Sequence, residues 1–495
     1  MQSVHSTAVS PPPPPATSRE PAHPRLVPVL VGIGFAVAIV SSLGSPMVPT
    51  VAKTYGVSMN TAQWTLTIAL LAGAVSTPVL GKLGDTLHRR RTMLATLGVM
   101  TLGAVIAMID GPFWMLLVGR ALQGSGLGLV ALAMATARDH LPAAKLTGAL
   151  AILSVSISAG VGLGYPLSGF VAEKAGFHPT FAVAAVISGL AALAAWRVLP
   201  LGAHLPRRRI DVVGAVLMAI GLAVLVVAMS QAGTWGITST RFVGAVLIAV
   251  VVLGLCARFE LRVADPIVDL RTLRFRAVRV AHSISLIAGV GMYFMVSLII
   301  RYVQTPDSIG YGMGHTVLFA GLILVPFSTA SLIVSQVQPA IVRSVGARWT
   351  TSLGAAVFLA SMVGFAAYRS SEWFFVVLLF VSGFGVSVVN ASITPMIVGA
   401  IPAEDTASAM GLNAVLRSVG SSWGSAASGA VLSANTAAGS LYPTDHGYVL
   451  AALVGMAVWA VAVAIAWPRS AGATSERPTS GNATSPAETA VGFAR

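Results

Sequence analysis

Arginine inside a long apolar run is the most demanding chemistry this chain offers, and it occurs twice. Arg120 stands in Gly119-Arg120-Ala121-Leu122-Gln123-Gly124-Ser125-Gly126, and Arg417 in Gly411-Leu412-Asn413-Ala414-Val415-Leu416-Arg417-Ser418. A guanidinium in the middle of a membrane span costs about 3 kcal/mol or more unless it faces a cavity or a partner. Gln123 lies three residues after Arg120 and Asn413 four before Arg417, so each amide shares a helical face with its arginine. With no acid beside them, these forks suit an anionic or amphipathic substrate. The plainer reading is an arginine that braces helices through backbone carbonyls, and the residues leave both open. Gly420-Ser421-Ser422-Trp423-Gly424 spells a nucleophile motif by letter, but it lies in a helical apolar run rather than between a strand and a helix, so an acyl-transfer role is excluded.

The elements that position these residues are membrane spans. The 495-residue chain is 56% apolar and 9% charged, with mean hydropathy +0.84, far below the roughly one-quarter charge of soluble proteins. Apolar runs of roughly twenty residues number fourteen: Leu26–Pro49, Thr61–Leu80, Met93–Ile109, Phe113–Ala137, Gly148–Val171, Thr180–Leu199, Val212–Met229, Phe242–Ala257, Val280–Ile300, Val317–Val337, Thr350–Ala367, Trp373–Ile401, Ala409–Leu432 and Tyr448–Trp467. The predicted organisation is a loose N-terminal tail (1–25, with Pro11–Pro15), six spans (26–200), basic linkers with two extra spans (201–279), six more spans (280–467) and a second loose tail (468–495). With the N-terminus inside, 23 of the 30 Lys and Arg fall on the cytoplasmic side and five outside, namely Lys53, Lys174, Arg241, Arg301 and Arg369. That asymmetry predicts a multi-pass inner-membrane protein with both termini cytoplasmic. It also accounts for the +14 net charge without nucleic acid.

Two further patterns stand at span ends and crossings. Gly81-Lys82-Leu83-Gly84-Asp85-Thr86-Leu87-His88-Arg89-Arg90-Arg91 joins the second and third spans. Gly81 and Gly84 remove bulk where another helix can approach. Asp85, the loop's only acid, seeks an arginine or a helix N-terminus, and Arg89 and Arg90 supply cations beside it. In the fifth span Gly160 and Gly164 form a small-xxx-small notch, and Pro166, with Gly169 beyond it, favours a kink.

Together these patterns resemble the major facilitator superfamily of secondary transporters, over roughly residues 26–467. The 81–91 stretch is similar to its loop signature, with Thr86 and His88 where Arg and Gly are usual. Arg120-x-x-Gln123-Gly124 resembles its fourth-helix motif, in which the arginine faces the central cavity. The Gly160–Gly169 stretch resembles the fifth-helix signature of antiporters, although Tyr165 intervenes and Ser168 replaces a glycine. Asn413 to Gly420 is similar to a run in the fourteen-span drug:proton antiporters. The resemblance implies an all-α membrane fold of two six-helix bundles plus two inserted helices. It also implies a cavity lined by Arg120, Gln123, Asn413 and Arg417, and a cytoplasmic gate at Gly81, Gly84, Asp85, Arg89 and Arg90.

The expected function is export of small amphipathic molecules or drugs by alternating access. The alternative is a translocator of lipid or anionic amphiphiles, or a transporter-like sensor. Proton coupling stays open, because that antiporter branch carries an acid in the first span and here Val40–Pro49 has none. None of the 16 acids lies well inside a span. Neither an enzyme's acid pair or nucleophile set nor a His-x-x-x-His pair is present, and Cys256 is the single cysteine. No metal, cofactor or nucleic acid is therefore expected. The expected partners are the bilayer and a small-molecule or lipid substrate, and the expected working unit is a monomer.

Overall fold

The computed structural model describes residues 24–86, 89–200, 211–236, 238–263, 266–268, 270–369, 371–401, 406–437 and 439–467. Span 1 is split into α1 (Leu26–Ser42) and α2 (Val48–Tyr55) by a 3-10 turn at Ser45–Met47. Spans 2 and 3 are α3 (Met59–Thr86) and α4 (Arg89–Met108). Span 4 is α5 (Phe113–Gly124) and α6 (Leu129–His140), joined through a 3-10 turn at Ser125–Gly128. Spans 5 to 9 are α7 (Ala143–Ala175), α8 (Phe177–Val198), α9 (Val212–Trp235), α10 (Thr240–Glu260) and α11 (Arg276–Gln304). Span 10 is α12 (Val317–Leu322) and α13 (Val325–Val345), followed by α14 (Ala347–Ala367), α15 (Glu372–Val398), α16 (Thr406–Ala434) and α17 (Asp445–Ala466). The face of the molecule where α3 ends and α4 begins is the loop face, and the other the opposite face.

Among the described residues, thirteen helices are long and apolar enough to cross a membrane. The fourteenth, α16, runs for 29 residues but carries Ser, Gly, Asn and Arg along its length. It is less apolar because it packs against α3, α9, α11, α15 and α17 and owes little surface to lipid. The reverse holds for α10, which packs on α9 and exposes Val243, Leu247, Val251 and Leu255 on its outer side. α9 in turn rests on α16 and α3, which places the extra pair beside the bundles.

The two bundles repeat one packing device. α4 crosses α5 where Gly103 and Gly119 meet: a Cβ at Gly103 would lie 2.6 Å from the Gly119 carbonyl, and one at Gly119 would lie 2.7 Å from that of Gly103. α14 crosses α15 in the same reciprocal way at Gly354 and Gly385, with 2.7 Å in each direction. These are the third and fourth helices of each bundle, so the equivalence that is faint in side chains persists where backbones touch.

Each bundle encloses its own apolar core. One gathers Leu30, Ile33, Leu97, Met100 and Leu153, and the other Phe294, Phe358, Phe365, Phe375 and Trp459. Phe358 stacks on Trp459 at 4.1 Å between ring centroids. Across the bundles, α3 packs on α16, and α7 packs on α12 and α13.

Candidate functional site

The break in span 1 builds the first half of the site. Gly44 adopts φ +97°, a conformation that costs a residue with a Cβ energy, and α1 ends with the Leu43 N–H on the Ile39 carbonyl. The Val40 carbonyl is thereby left to accept a long bond (3.5 Å) from Arg120 Nη1. Arg120 Nη1 also donates to Gln123 Oε1 at 2.7 Å, and Nε to the Thr65 carbonyl at 3.2 Å. Arg120 is 1% exposed, and its Nη2 has no protein acceptor. Ser41, Ser45, Leu66, Ala69 and Tyr293 close a narrow pocket around the pair. Arg120 thus braces α1 and α3 through carbonyls and lines a narrow pocket, with its buried Nη2 set beside Gly44.

Tyr293, on α11, is the link to the second half. It lies within electrostatic reach of Arg120 and of Arg417. Arg417 differs from Arg120 in being exposed although it sits in mid-helix. Asn413, one turn away, is buried against His282 of α11, and its Oδ1 has no hydrogen-bond partner. Arg120, Gln123, Tyr293 and Arg417 therefore converge across the bundle interface. Asn413 turns from that point into the α11–α16 contact.

A second polar cluster lies at the opposite face and was not singled out in the sequence. Arg301, 3% exposed, donates from Nη2 to the Met59 carbonyl and to Gln63 Oε1, each at 3.0 Å. Gln63 Nε2 then donates to Ser297 Oγ and Ser425 Oγ, each at 2.8 Å. Thr67 Oγ1 shares a hydrogen bond with Ser425 Oγ at 3.0 Å, and Ser422 Oγ donates to the Thr67 carbonyl. Gln304 Nε2 reaches the Pro46 carbonyl at 2.7 Å. This network ties α3 and the span 1 turn to α11 and α16, so the two bundles are closed together at this face. The expectation that Arg301 is an outside loop charge is incorrect, because α11 continues past it to Gln304 and buries the guanidinium against neutral acceptors. Nearby, the Tyr311 phenol is pushed up to about 12 by burial and by Asp445.

At the loop face α3 stays helical through both Gly81 and Gly84 to Thr86, so the chain does not turn at the glycines. Gly84 presses on Leu132 of α6, whereas Gly81 faces open space. Arg89 pairs with Asp139 at the end of α6, and Arg90 donates to the Trp196 carbonyl near the end of α8. The Asp85 side chain, and residues 87 and 88, lie outside the described residues. In the fifth span α7 is continuous through Pro166. A Cβ at Gly160 would come within 2.8 Å of Ala38 Cβ, and Gly164 abuts Ser42 and Ile39, both on α1. Gly169 meets Leu318 and Val317 of span 10 at 2.6 Å. The notch thus serves two interfaces, one within its bundle and one across.

The sequence profile of the Major Facilitator Superfamily matches residues 30–425. The chain belongs to this superfamily. Multidrug resistance protein Stp of Mycobacterium tuberculosis is 26% identical over 411 residues, covering 82% of this chain and 75% of its own. The tetracenomycin C resistance and export protein of Streptomyces glaucescens is 28% identical over 427 residues, covering 85% and 77%. In fold, the transporter superposes on the POT family transporter PepTSo with TM-score 0.65 at 14% identity, over 90% of this chain and 97% of that one. It also matches the human organic anion transporter MFSD10, with TM-score 0.59 at 16% identity, over 90% and 99%. The transporter therefore has the major facilitator fold and resembles the drug-exporter branch.

Proposed function

We propose that this transporter exports small amphipathic molecules across the bacterial inner membrane by alternating access. The observation that carries the reading is one exposed mid-span arginine, Arg417, set beside Tyr293 and Arg120 between two bundles, while the Arg301–Gln63 network ties those bundles at one face only. With the opposite face tied, such a site would be reached from the loop face, which the lysine and arginine distribution assigns to the cytoplasm. The form described is the cytoplasm-facing member of a two-state pair. Drug-export relatives support the direction of transport. The loop residues Asp85, Arg89 and Arg90 would act in the other state, when the loop face closes.

The charge of the site sharpens the substrate class. Arg120, Arg301 and Arg417 supply three cations within the spans, and the acceptors found for Arg120 and Arg301 are neutral carbonyl oxygens. A molecule with an apolar body and an anionic or carbonyl-rich head fits this field better than a cationic drug. The test is dye uptake into inside-out liposomes, comparing carboxyfluorescein with ethidium. Carboxyfluorescein uptake should fall on the order of 100-fold in Arg120→Lys, which keeps charge but loses the planar fork, while membrane insertion is unchanged. Parent-like uptake in Arg120→Ala would exclude the cavity role. Uptake of ethidium alone would exclude the anionic preference.

A further inference from the structure

A secondary transporter needs a group that takes up and releases its coupling ion, and acids are absent from the middle of every span described. The other buried ionisable groups of the spans are poorly suited. Arginine stays charged and tyrosine neutral near pH 7. Glu260 lies at the very end of α10, where its Oε2 accepts the Val268 N–H at 3.2 Å, outside the two bundles. His282 differs from all of these. It sits on α11, six residues in from Arg276 at the loop-face end, and is 2% exposed. Its ring is set against Asn413, and neither Nδ1 nor Nε2 makes a hydrogen bond of good geometry. An imidazole always carries at least one N–H, and leaving such a group unmet in a buried site is costly enough to require a reason.

Its polar neighbour is Asn413, whose Oδ1 likewise makes no hydrogen bond of good geometry. The charged groups on the elements packed against α11 complete the surroundings. On α11 itself, Arg279 is turned to the Leu273 and Arg274 carbonyls, and Arg276 begins the helix. The turn at Leu270–Arg274 offers Arg271 and Arg274, and α16 offers Arg417. The ionisable residues of α2, α15 and α17 (Lys53, Tyr55, Glu372, Asp445, His446 and Tyr448) all lie at the opposite face, and α12 has none. Among the described residues of these elements, His282 therefore has a neutral amide for a partner, and the charged groups toward its end of α11 are cations. A neutral ring can accept from or donate to that amide, whereas a charged ring donates from both nitrogens and requires the amide oxygen.

The contact is also placed to matter. From Leu286 to Val290, α11 and α16 touch at backbone distance, with Gly289 against Arg417 and Gly420 and Gly424 against Leu286 and Val290. His282–Asn413 is the polar contact just beyond this lock, toward the loop face. One turn from Asn413 stands Arg417, and α16 packs across the bundle interface on α3.

We propose that His282 is the proton site of the transport cycle, with Asn413 as the amide that reads its charge, in place of a membrane carboxylate. The proposal rests on the secondary-transport reading above. The step is a simple uptake of H+ from water at one face and its loss to water at the other, with no other bond made or broken.

Spin labels on Cys256→Ala protein at Arg138→Cys and Val398→Cys, at the loop-face ends of α6 and α15, test it by pulsed distance measurement in liposomes. Between about pH 5 and pH 8 the parent's ratio of short to long distances should change about tenfold, the effect of one unit of difference in a site's pKa between two states. Glu260→Gln should behave like the parent, and His282→Gln should lose the pH dependence. A His282→Gln protein that titrates like the parent, or a parent that does not titrate, overturns the proposal. If His282→Gln does not yield monodisperse protein, Asn413→Leu takes its place. It should displace the midpoint of the transition, and an unchanged midpoint overturns the proposal equally. Dye uptake in the same liposomes separates the two readings. A pH-dependent distance ratio with neither dye moved contradicts export alone, whereas dye uptake driven equally by a proton gradient in parent and His282→Gln contradicts the proton site alone.

Discussion

α7 is packed in opposite ways at its two ends. At Gly169 a methyl group would strike the backbone of Leu318 and Val317 at 2.6 Å, and at Gly148 it would meet nothing within 4 Å. α16 repeats the contrast, with Gly429 facing Asn60 Oδ1 at 2.7 Å and Gly411 facing open space. Both crowded glycines meet the other bundle at the opposite face, and both free ones lie toward the loop face. The interface between bundles is therefore zipped at the opposite face by close contact at Gly169 and Gly429 and by the Arg301–Gln63 network. Toward the loop face, among the described residues, Gly148 and Gly411 leave room, and α3 meets α16 through apolar side chains such as Val79 and Leu412. A molecule built this way stores its conformational preference in a few contacts at one end.

The largest way to break the contrast is at Arg301. Arg301→Ala removes two hydrogen bonds from a charged donor and leaves the Gln63 amide and the Met59 carbonyl unmet. The cost to the closed opposite face should be about 3 kcal/mol, roughly a 150-fold shift in the state ratio. Spin-label distances between the opposite-face ends of α3 and α11 should lengthen accordingly; unchanged distances would mean the network only fills space. Gly169→Ala should have the next effect. Its Cβ meets backbone that has no rotamer to yield, so overpacking of about 1–3 kcal/mol should disfavour the same closed face, read in the same distances. Arg417→Gln should be mild in stability, within about 1 kcal/mol because the side chain is exposed, while lowering carboxyfluorescein uptake severalfold. Gly148→Ala should be the smallest change, within about 0.5 kcal/mol by thermal unfolding, and a larger loss would show that the loop-face end of α7 is packed after all.

These contrasts also mark what sequence could and could not reveal. Apolar runs located all fourteen spans, because hydropathy is the one property a lipid-facing helix must display. It is weakest for α16, which is wrapped in protein. Arg120 and Arg417 were legible for the same reason in reverse, as charges where none is tolerated without cause. Arg301 escaped because the run ends at Ile300, so a buried cation looked like a loop residue. His282 stands three residues into its run but was not singled out, because its charge, unlike an arginine's, is conditional. Tyr293 gave none: a tyrosine in an apolar helix is ordinary until folding sets it between two arginines. The Gly103–Gly119 and Gly354–Gly385 crossings were equally hidden among the 50 glycines of the chain, since a reciprocal contact is a property of two helices.

The central claim is that the space beside Arg417 opens to the cytoplasm and is closed to the outside. It is tested most directly by a single accessible thiol, Arg417→Cys in Cys256→Ala protein, treated with a membrane-impermeant maleimide in inside-out and in right-side-out vesicles. The structure predicts rapid labelling in inside-out vesicles and slow labelling in right-side-out ones. Equal rates from the two sides, or faster labelling from outside, would contradict it.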